Sequence, residues 1–302
     1  MPSAAPFRRL RDGDAVAVVA PASRPQWERV ERGIDVLRWW GFEPIVLPSV
    51  TATHSTLPHL AGDDDVRAED LIAAWRDPDI AAIWCARGGY GIQRILDLLP
   101  TGLFGQGDPK PIIGFSDITP LLHRALLESG TQMVHGPVVV SLGESGGPML
   151  EQVHDLLTRR DDPRTLLTHL TPWLDGGGGQ IIEGTLLGGN VALLANSIGT
   201  GDLPSAEGAV VLLEDTGQPA WVLDRNLTQL IRAGWLAGAA GVLLGDFTMD
   251  DSDGHVQAVL RDRLGSLGVP VWTGARIGHG PVNQALPIGA HVRIHASYLR
   301  LA

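Results

Sequence analysis

Hydrophobic residues fall into two alternating patterns along the first half of the chain. Short runs rich in β-branched residues recur at "AVAVVAPA", "EPIVLP", "AAIWCA" and "PIIGF". Between them lie "WERVERGIDVLRWW", "DDVRAEDLIAAW" and "GIQRILDLL", whose apolar positions stand three and four apart. The spacing predicts helices with one buried face, and the runs predict strands. Strands alternating with helices predict an α/β domain whose mostly parallel sheet is covered on both faces. "QMVHGPVVVSLG" reads as one more extended segment.

The pattern breaks at "DDPRTLLTHLTPWLDGGGG", where Pro, Gly and Asp dominate. This predicts an N-terminal domain over 1–160, a connection over 161–179 with room for a surface strand, and a C-terminal domain over 180–302. In the last part, "IIEGTLLGGNVALLANSIGT", "EGAVVLLEDTGQPAWVLDRNLTQLIRAG", "AGVLLGDF", a helix near 257–264 and "VPVWTG" follow one another. The ending "QALPIGAHVRIHASYLRLA" alternates as strands do. A second, smaller and strand-rich α/β domain is expected. There is no internal repeat.

Composition narrows the possible functions. The chain has 302 residues, 44% of them hydrophobic and 19% charged, enough for one large or two moderate folded domains. Its net charge of −11 argues against a nucleic-acid partner, which needs clustered Lys and Arg. No Cys/His spacing suggests a zinc site. The single cysteine, Cys85, rules out a disulfide within the chain and fits a reducing compartment. The early apolar run stands behind Asp12 and Asp14 and is too short for a signal core, and no stretch approaches the ~20 apolar residues of a membrane span. A cytoplasmic protein without membrane contact is expected.

Four segments place polar residues after predicted strands, where ligands of open parallel sheets bind. "CARGGYG" offers paired glycines whose backbone N–H groups can approach an oxyanion; it matches neither a Walker loop nor GxGxxG, and a plain tight turn is the alternative. "GFSD" puts Ser116 at a strand-to-helix junction, where it reads as a nucleophile on a sharp turn or as a helix cap. It lacks the second glycine of GxSxG. In "LLEDTGQ", Asp215 fits a helix cap, while Glu214 directly follows Leu213 and, if buried, needs a partner such as a histidine. In "RIGHGPVNQ", His279 stands between two glycines; it and His135 of "VHGPVV" otherwise read as ordinary histidines. A serine needs a base, and the base needs an acid to hold its tautomer. Ser116, His279 and Glu214 supply the three types.

Together these segments resemble a known family, the LD-carboxypeptidases of murein recycling and the related microcin-immunity peptidases. The likeness runs from "VAVVAPAS" through "HLAGDDDVRAEDLIAAWRDPDIAAIWCARGGYG", "PIIGFSDIT", "VHGPV", "EGTLLGGNVALLA" and "LLEDTGQPAWVLDRNLTQL" to "GHGPVNQALPIGAHV". It implies a Ser116–Glu214–His279 triad and a backbone oxyanion hole at Gly89 and Asp117. It also implies a flavodoxin-like N-terminal domain, a β-rich C-terminal domain and a homodimer. The implied activity is a serine carboxypeptidase that releases terminal D-alanine from murein tetrapeptides, without metal or organic cofactor. Many relatives carry a second acid where this chain has Gln218. A substrate rich in carboxylates needs local positive charge; Arg87 and Arg225 are candidates for it, with Asn190 as a polar contact, and structural ion pairs are the alternative for both arginines.

Three rivals remain from the sequence. One is a microcin-immunity-type peptidase cutting a peptide–nucleotide or acyl-sulfamoyl amide. Another is a non-catalytic binding module using "RGGYG" and "GGN". The third is a cysteine enzyme using Cys85, whose apolar surroundings suggest an inert thiol.

Overall fold

The computed structural model describes residues 3–159, 165–174, 181–249, 251 and 253–302. The chain divides into two compact units, one of Ala5–Arg160 with Gln284–Leu286, the other of Met1–Ala4, Asp161–Asn283 and Pro287–Ala302.

The first unit contains strands β1 (Ala15–Val19), β2 (Glu43–Val46), β3 (Ile80–Cys85), β4 (Ile112–Gly114) and β5 (Met133–His135). They run parallel in the order β2-β1-β3-β4-β5. This is the flavodoxin-like order, with its switch point between β1 and β3. Burial explains the order. All of β3 and nearly all of β1 are buried, as central parallel strands require. Strand β2 is mostly exposed and carries Pro44, which suits an edge. Helices Trp27–Trp39 and Asp64–Arg76 form where the apolar spacing predicts them.

Three segments differ from the sequence reading. "QMVHGPVVVSLG" is extended only through His135; Pro137 cannot donate to a ladder, and Val139–Leu142 becomes a short helix packed on Trp27–Trp39. "GIQRILDLL" yields just the five-residue helix Ile92–Leu96. Helix Gly147–Thr158 was not anticipated, although its buried Met149, Val153, Leu156 and Leu157 keep helical spacing.

The second unit is built on an eight-stranded mixed sheet. Its strands are β6 (Thr165–Leu167), β7 (Thr171–Leu174), β8 (Ile181–Asn190), β9 (Ala209–Thr216), β10 (Gly241–Thr248), β11 (Val271–Thr273), β13 (His291–His295) and β14 (Tyr298–Leu301); β12 (Leu286–Ile288) edges the first sheet beside β5. The order is β6-β14-β13-β8-β9-β10-β11-β7. Strands β8 to β11 are parallel, flanked by antiparallel β13 and β14 on one side and β7 on the other. The 161–179 segment, expected as a connection, contributes both β6 and β7, joined through 168–170; its residues 161–164 and 175–179 lie outside the described ones. The alternation read in the chain ending is real: Val292 and Ile294 of β13 are buried and their neighbours exposed. Among the described residues no helix is long and apolar enough to cross a membrane.

Candidate active site

In the first unit, the loops leaving β1, β3 and β4 carry Ser23, the 88–91 turn and Ser116. Ser116 follows Gly114 and Phe115 and opens a single 3₁₀ turn before helix Thr119–Ser129. Its φ is +63, a left-handed conformation that strains a side-chain-bearing residue. The capping alternative is not what forms: Phe115 and Ile118 occupy the two N-cap positions, with no side-chain cap bond. The turn is stapled at its base, where Thr119 Oγ1 donates to the Ser116 carbonyl at 2.8 Å. Ser116 is half-buried. The glycine turn lies against it: a Cβ on Gly88 would stand 3.0 Å from Ser116 Cβ and 3.1 Å from the Phe115 carbonyl oxygen, so only glycine fits without displacement. The turn is tied to the β1 loop, since Ser23 N–H donates to the Gly88 carbonyl at 3.1 Å and Tyr90 N–H donates to Ser23 Oγ at 3.0 Å. Asp117 is buried, and burial pushes its carboxyl up to about 6.

In the second unit, Glu214 and Asp215 occupy consecutive positions near the end of β9, both buried. His279 Nδ1 lies 2.8 Å from Glu214 Oε2. A carboxylate only accepts, so Nδ1 carries the proton of this bond. The pair gives the buried carboxylate the partner that the sequence reading required. The 277–280 loop is pinned beside it. Gly278 has φ +114, and a Cβ there would come within 2.6 Å of Glu214 Oε2. Gly278 N–H donates to the buried Asn283 Oδ1 at 3.0 Å, and Asp246 N–H donates to the Ile277 carbonyl at 2.7 Å. The Asp246 carboxylate accepts the Gly280 N–H, and burial raises its pKa above the ordinary range. Asp246 follows Leu244 by two positions, at a register shift of β10 against β9.

The remaining expected residues are placed as follows. Asp215 is not a helix cap: Pro219 holds that position, and Asp215 Oδ1 instead accepts from Asn190 Nδ2 at 3.1 Å and from Thr216 N–H at 2.8 Å. Burial raises the Asp215 carboxyl to about 6. Asn190 is buried and caps helix Val191–Asn196 through the Leu193 N–H. Gln218 Nε2 reaches Asp215 Oδ1 at 3.5 Å, and Gln218 also lines an open groove of about 760 Å³ with Trp221, Asp224, Thr248 and His255. Arg87 is exposed and donates to the Arg24 carbonyl at 2.8 Å. Arg225 stacks over Trp221 at 5.2 Å. His135 is fully buried and its ring packs on Phe115. Cys85 is a buried free thiol whose pKa burial pushes far up, which removes it as a nucleophile.

Sequence reasoning missed Asp246, Asn283 and Arg67. Asp246 ends an apolar strand in "VLLGDF", the same signal that marked Glu214. Asn283 stood inside a quoted motif without drawing a role. Arg67 carried no local signal, because a helical arginine is ordinarily solvated.

Residues 16–136 match the family model described as the LD-carboxypeptidase N-terminal domain, and residues 183–294 match the LD-carboxypeptidase C-terminal domain. A putative carboxypeptidase of Streptomyces coelicolor is 40% identical, over 95% of this chain and 92% of its own. The murein tetrapeptide carboxypeptidase of Pseudomonas aeruginosa is 33% identical, over 94% of each. A solved structure of MccF in complex with glutamyl sulfamoyl guanosine shares the fold, with a TM-score of 0.85 over 100% of this chain and 98% of that one, at 22% identity. The chain therefore belongs to the LD-carboxypeptidase family.

Proposed function

We propose that this protein is a serine carboxypeptidase that hydrolyses the LD amide bond of murein tetrapeptides and releases terminal D-alanine. The observation that carries the reading is the hydrogen-bonded pair of His279 Nδ1 and the buried Glu214 carboxylate at 2.8 Å. The strained turn at Ser116 supplies a matching nucleophile. The murein substrate is supported by the 33% identity to a murein tetrapeptide carboxypeptidase.

In this mechanism Ser116 Oγ attacks the amide carbonyl while His279 Nε2 takes its proton and passes it to the departing amine of D-alanine. Glu214 holds the imidazole tautomer and stabilises the imidazolium. The N–H groups of Gly89 and Asp117 hold the oxyanion, at about 3 kcal/mol per donor. Water activated by His279 then attacks the acyl-enzyme and frees the shortened peptide with Ser116 restored. Arg87, Arg225 and Asn190 are assigned to the substrate's polar groups, and unchanged KM in Arg87→Ala and Arg225→Ala would remove the two arginines from that role. A homodimer belongs to the same reading and is tested by sedimentation.

The test is release of D-alanine from L-Ala-γ-D-Glu-meso-diaminopimelate-D-Ala by the purified protein, with Ser116→Ala beside it. Release by the native protein alone establishes reaction and nucleophile together. No release from folded protein sinks the murein substrate. A second reading is then first in line: cleavage of an acyl-sulfamoyl or peptide–nucleotide amide. Its support is the shared fold with MccF seen holding glutamyl sulfamoyl guanosine. Turnover of a synthetic aminoacyl-sulfamoyl nucleoside separates the two.

A further inference from the structure

The two N–H groups assigned to the oxyanion lie on different loops, at Gly89 and at Asp117. They act on one oxygen only if the distance between those loops is fixed. The side chain of Asp117 bridges that gap. It is buried, its Oδ2 accepts the Ile92 N–H at 2.8 Å, and its carboxylate also accepts the Gly91 N–H. Arg67 reaches the same turn from helix Asp64–Arg76. Its guanidinium is fully buried, and Nη1 donates to the carbonyls of Gly91 at 2.9 Å and Pro21 at 2.7 Å. Nη2 pairs with Asp64, which Arg94 in turn holds through Nε at 3.0 Å and Nη2 at 2.6 Å. Arg67 and Asp117 also attract each other electrostatically.

Both backbone polar groups of Gly91 are thus held by charged side chains. Gly91 has no slack of its own: at φ +129, a Cβ would lie 2.6 Å from Leu60 Cδ2 and 2.9 Å from Arg67 Nη1. Placing a guanidinium in a core is expensive, and an apolar residue of similar size would serve packing at least as well. What an apolar residue could not do is hold the carbonyls of Pro21 and Gly91 while an opposed carboxylate holds the amides of Gly91 and Ile92.

We propose that Asp117 and Arg67 are positioning residues, a buried carboxylate and a buried guanidinium that each hold the backbone of Gly91, set the 88–91 turn against Ser116 and so preorganise the oxyanion hole. The proposal rests on the reading of Ser116 as a nucleophile, but not on the identity of the amide cleaved.

The experiment follows labelling of Ser116 by a fluorophosphonate, detected by mass spectrometry. The phosphoryl oxygen of that probe occupies an oxyanion hole whatever the natural substrate. Alongside it are measured kcat and KM for D-alanine release and the thermal midpoint. Asp117→Ala is expected to slow both labelling and kcat about 100-fold, with KM within about twofold. Asp117→Asn keeps an acceptor and is expected to recover part of this, leaving a deficit of about 10-fold, as is Arg67→Lys. Should Asp117→Ala fail to fold, the two conservative variants carry the test. Folded variants that label and turn over at native rates overturn the proposal, and so does a loss confined to KM or to thermal midpoint. Labelling of the native protein without D-alanine release sinks the murein reading and leaves this one standing. Absence of Ser116 labelling in the native protein overturns the nucleophile and this proposal with it.

Discussion

Ser116 and His279 are held in place by different means. Ser116 stands on strained backbone, at φ +63 on a turn pressed against Gly88. Strain of this kind is worth about 1–3 kcal/mol and persists only where surrounding packing enforces it. His279 stands in an irregular loop whose backbone bonds to Asp246 and Asn283 and whose ring bonds to Glu214. Under the proposed function, the difference follows from what each group must do. A nucleophile has to present one oxygen clear of its own backbone, and a sharp turn achieves that. A base has to keep one tautomer and tolerate a positive charge, and only a fixed carboxylate provides both.

If both sides serve one reaction, their largest losses must overlap. Ser116→Ala and His279→Ala are each expected to lower D-alanine release about 10⁶-fold, and the double variant no further. Additive losses in the double variant would separate the two sides into independent roles. Next in size is Glu214→Gln, expected to reduce kcat about 10⁴-fold, because an amide can donate to Nδ1 and favour the wrong tautomer. Asp246→Asn, on β10 beside the loop, removes charge but leaves an acceptor for Gly280, so a loss of about 10-fold in kcat is expected. Equal losses from Glu214→Gln and Asp246→Asn would mean that loop position, not tautomer, dominates the base side.

A smaller effect is on stability. Burial holds the Asp215 carboxyl at about 6 in the folded protein, above the ~3.9 of an unfolded chain. The folded state therefore binds more protons between those values. The contribution of Asp215 is fully present below about pH 4 and is lost as pH rises through about 6. Asp215→Asn should gain on the native protein by on the order of 2 kcal/mol between pH 4 and pH 7, read from urea midpoints. A gap that stays constant with pH would contradict the buried-carboxyl account. The least effect is expected from Cys85→Ala: activity within about twofold and a stability loss of about 1 kcal/mol, the signature of a packing residue. Inactivation by this substitution alone, in folded protein, would reopen the thiol as a nucleophile.

Much of the first unit was legible because its central strands are buried on both faces and read as unbroken apolar runs. The second unit was harder. Strands β6 and β7 lie in a stretch rich in Pro, Gly and Asp, whose local propensities favour turns, and only pairing with β14 and β11 makes them strands. Asp215 was misread for a related reason. An acid before a helix ordinarily faces water, but here β9 runs on through Thr216, and Asn190 on the neighbouring strand receives the carboxylate.

By itself, the sequence determined the alternation of strands and helices, the residue types able to act as nucleophile, base and acid, and the single cysteine that rules out a disulfide within the chain. Those are properties of composition and of short spacing. Only the tertiary structure decided that Glu214 and His279, 65 positions apart, share a hydrogen bond. It alone set Ser116 at a left-handed φ and brought Arg67 and Asp117 to opposite sides of one glycine turn. The physical reason is that burial, unlike periodicity, is a property of the assembled chain. A charge becomes an anchor only after packing has removed the water that would otherwise solvate it.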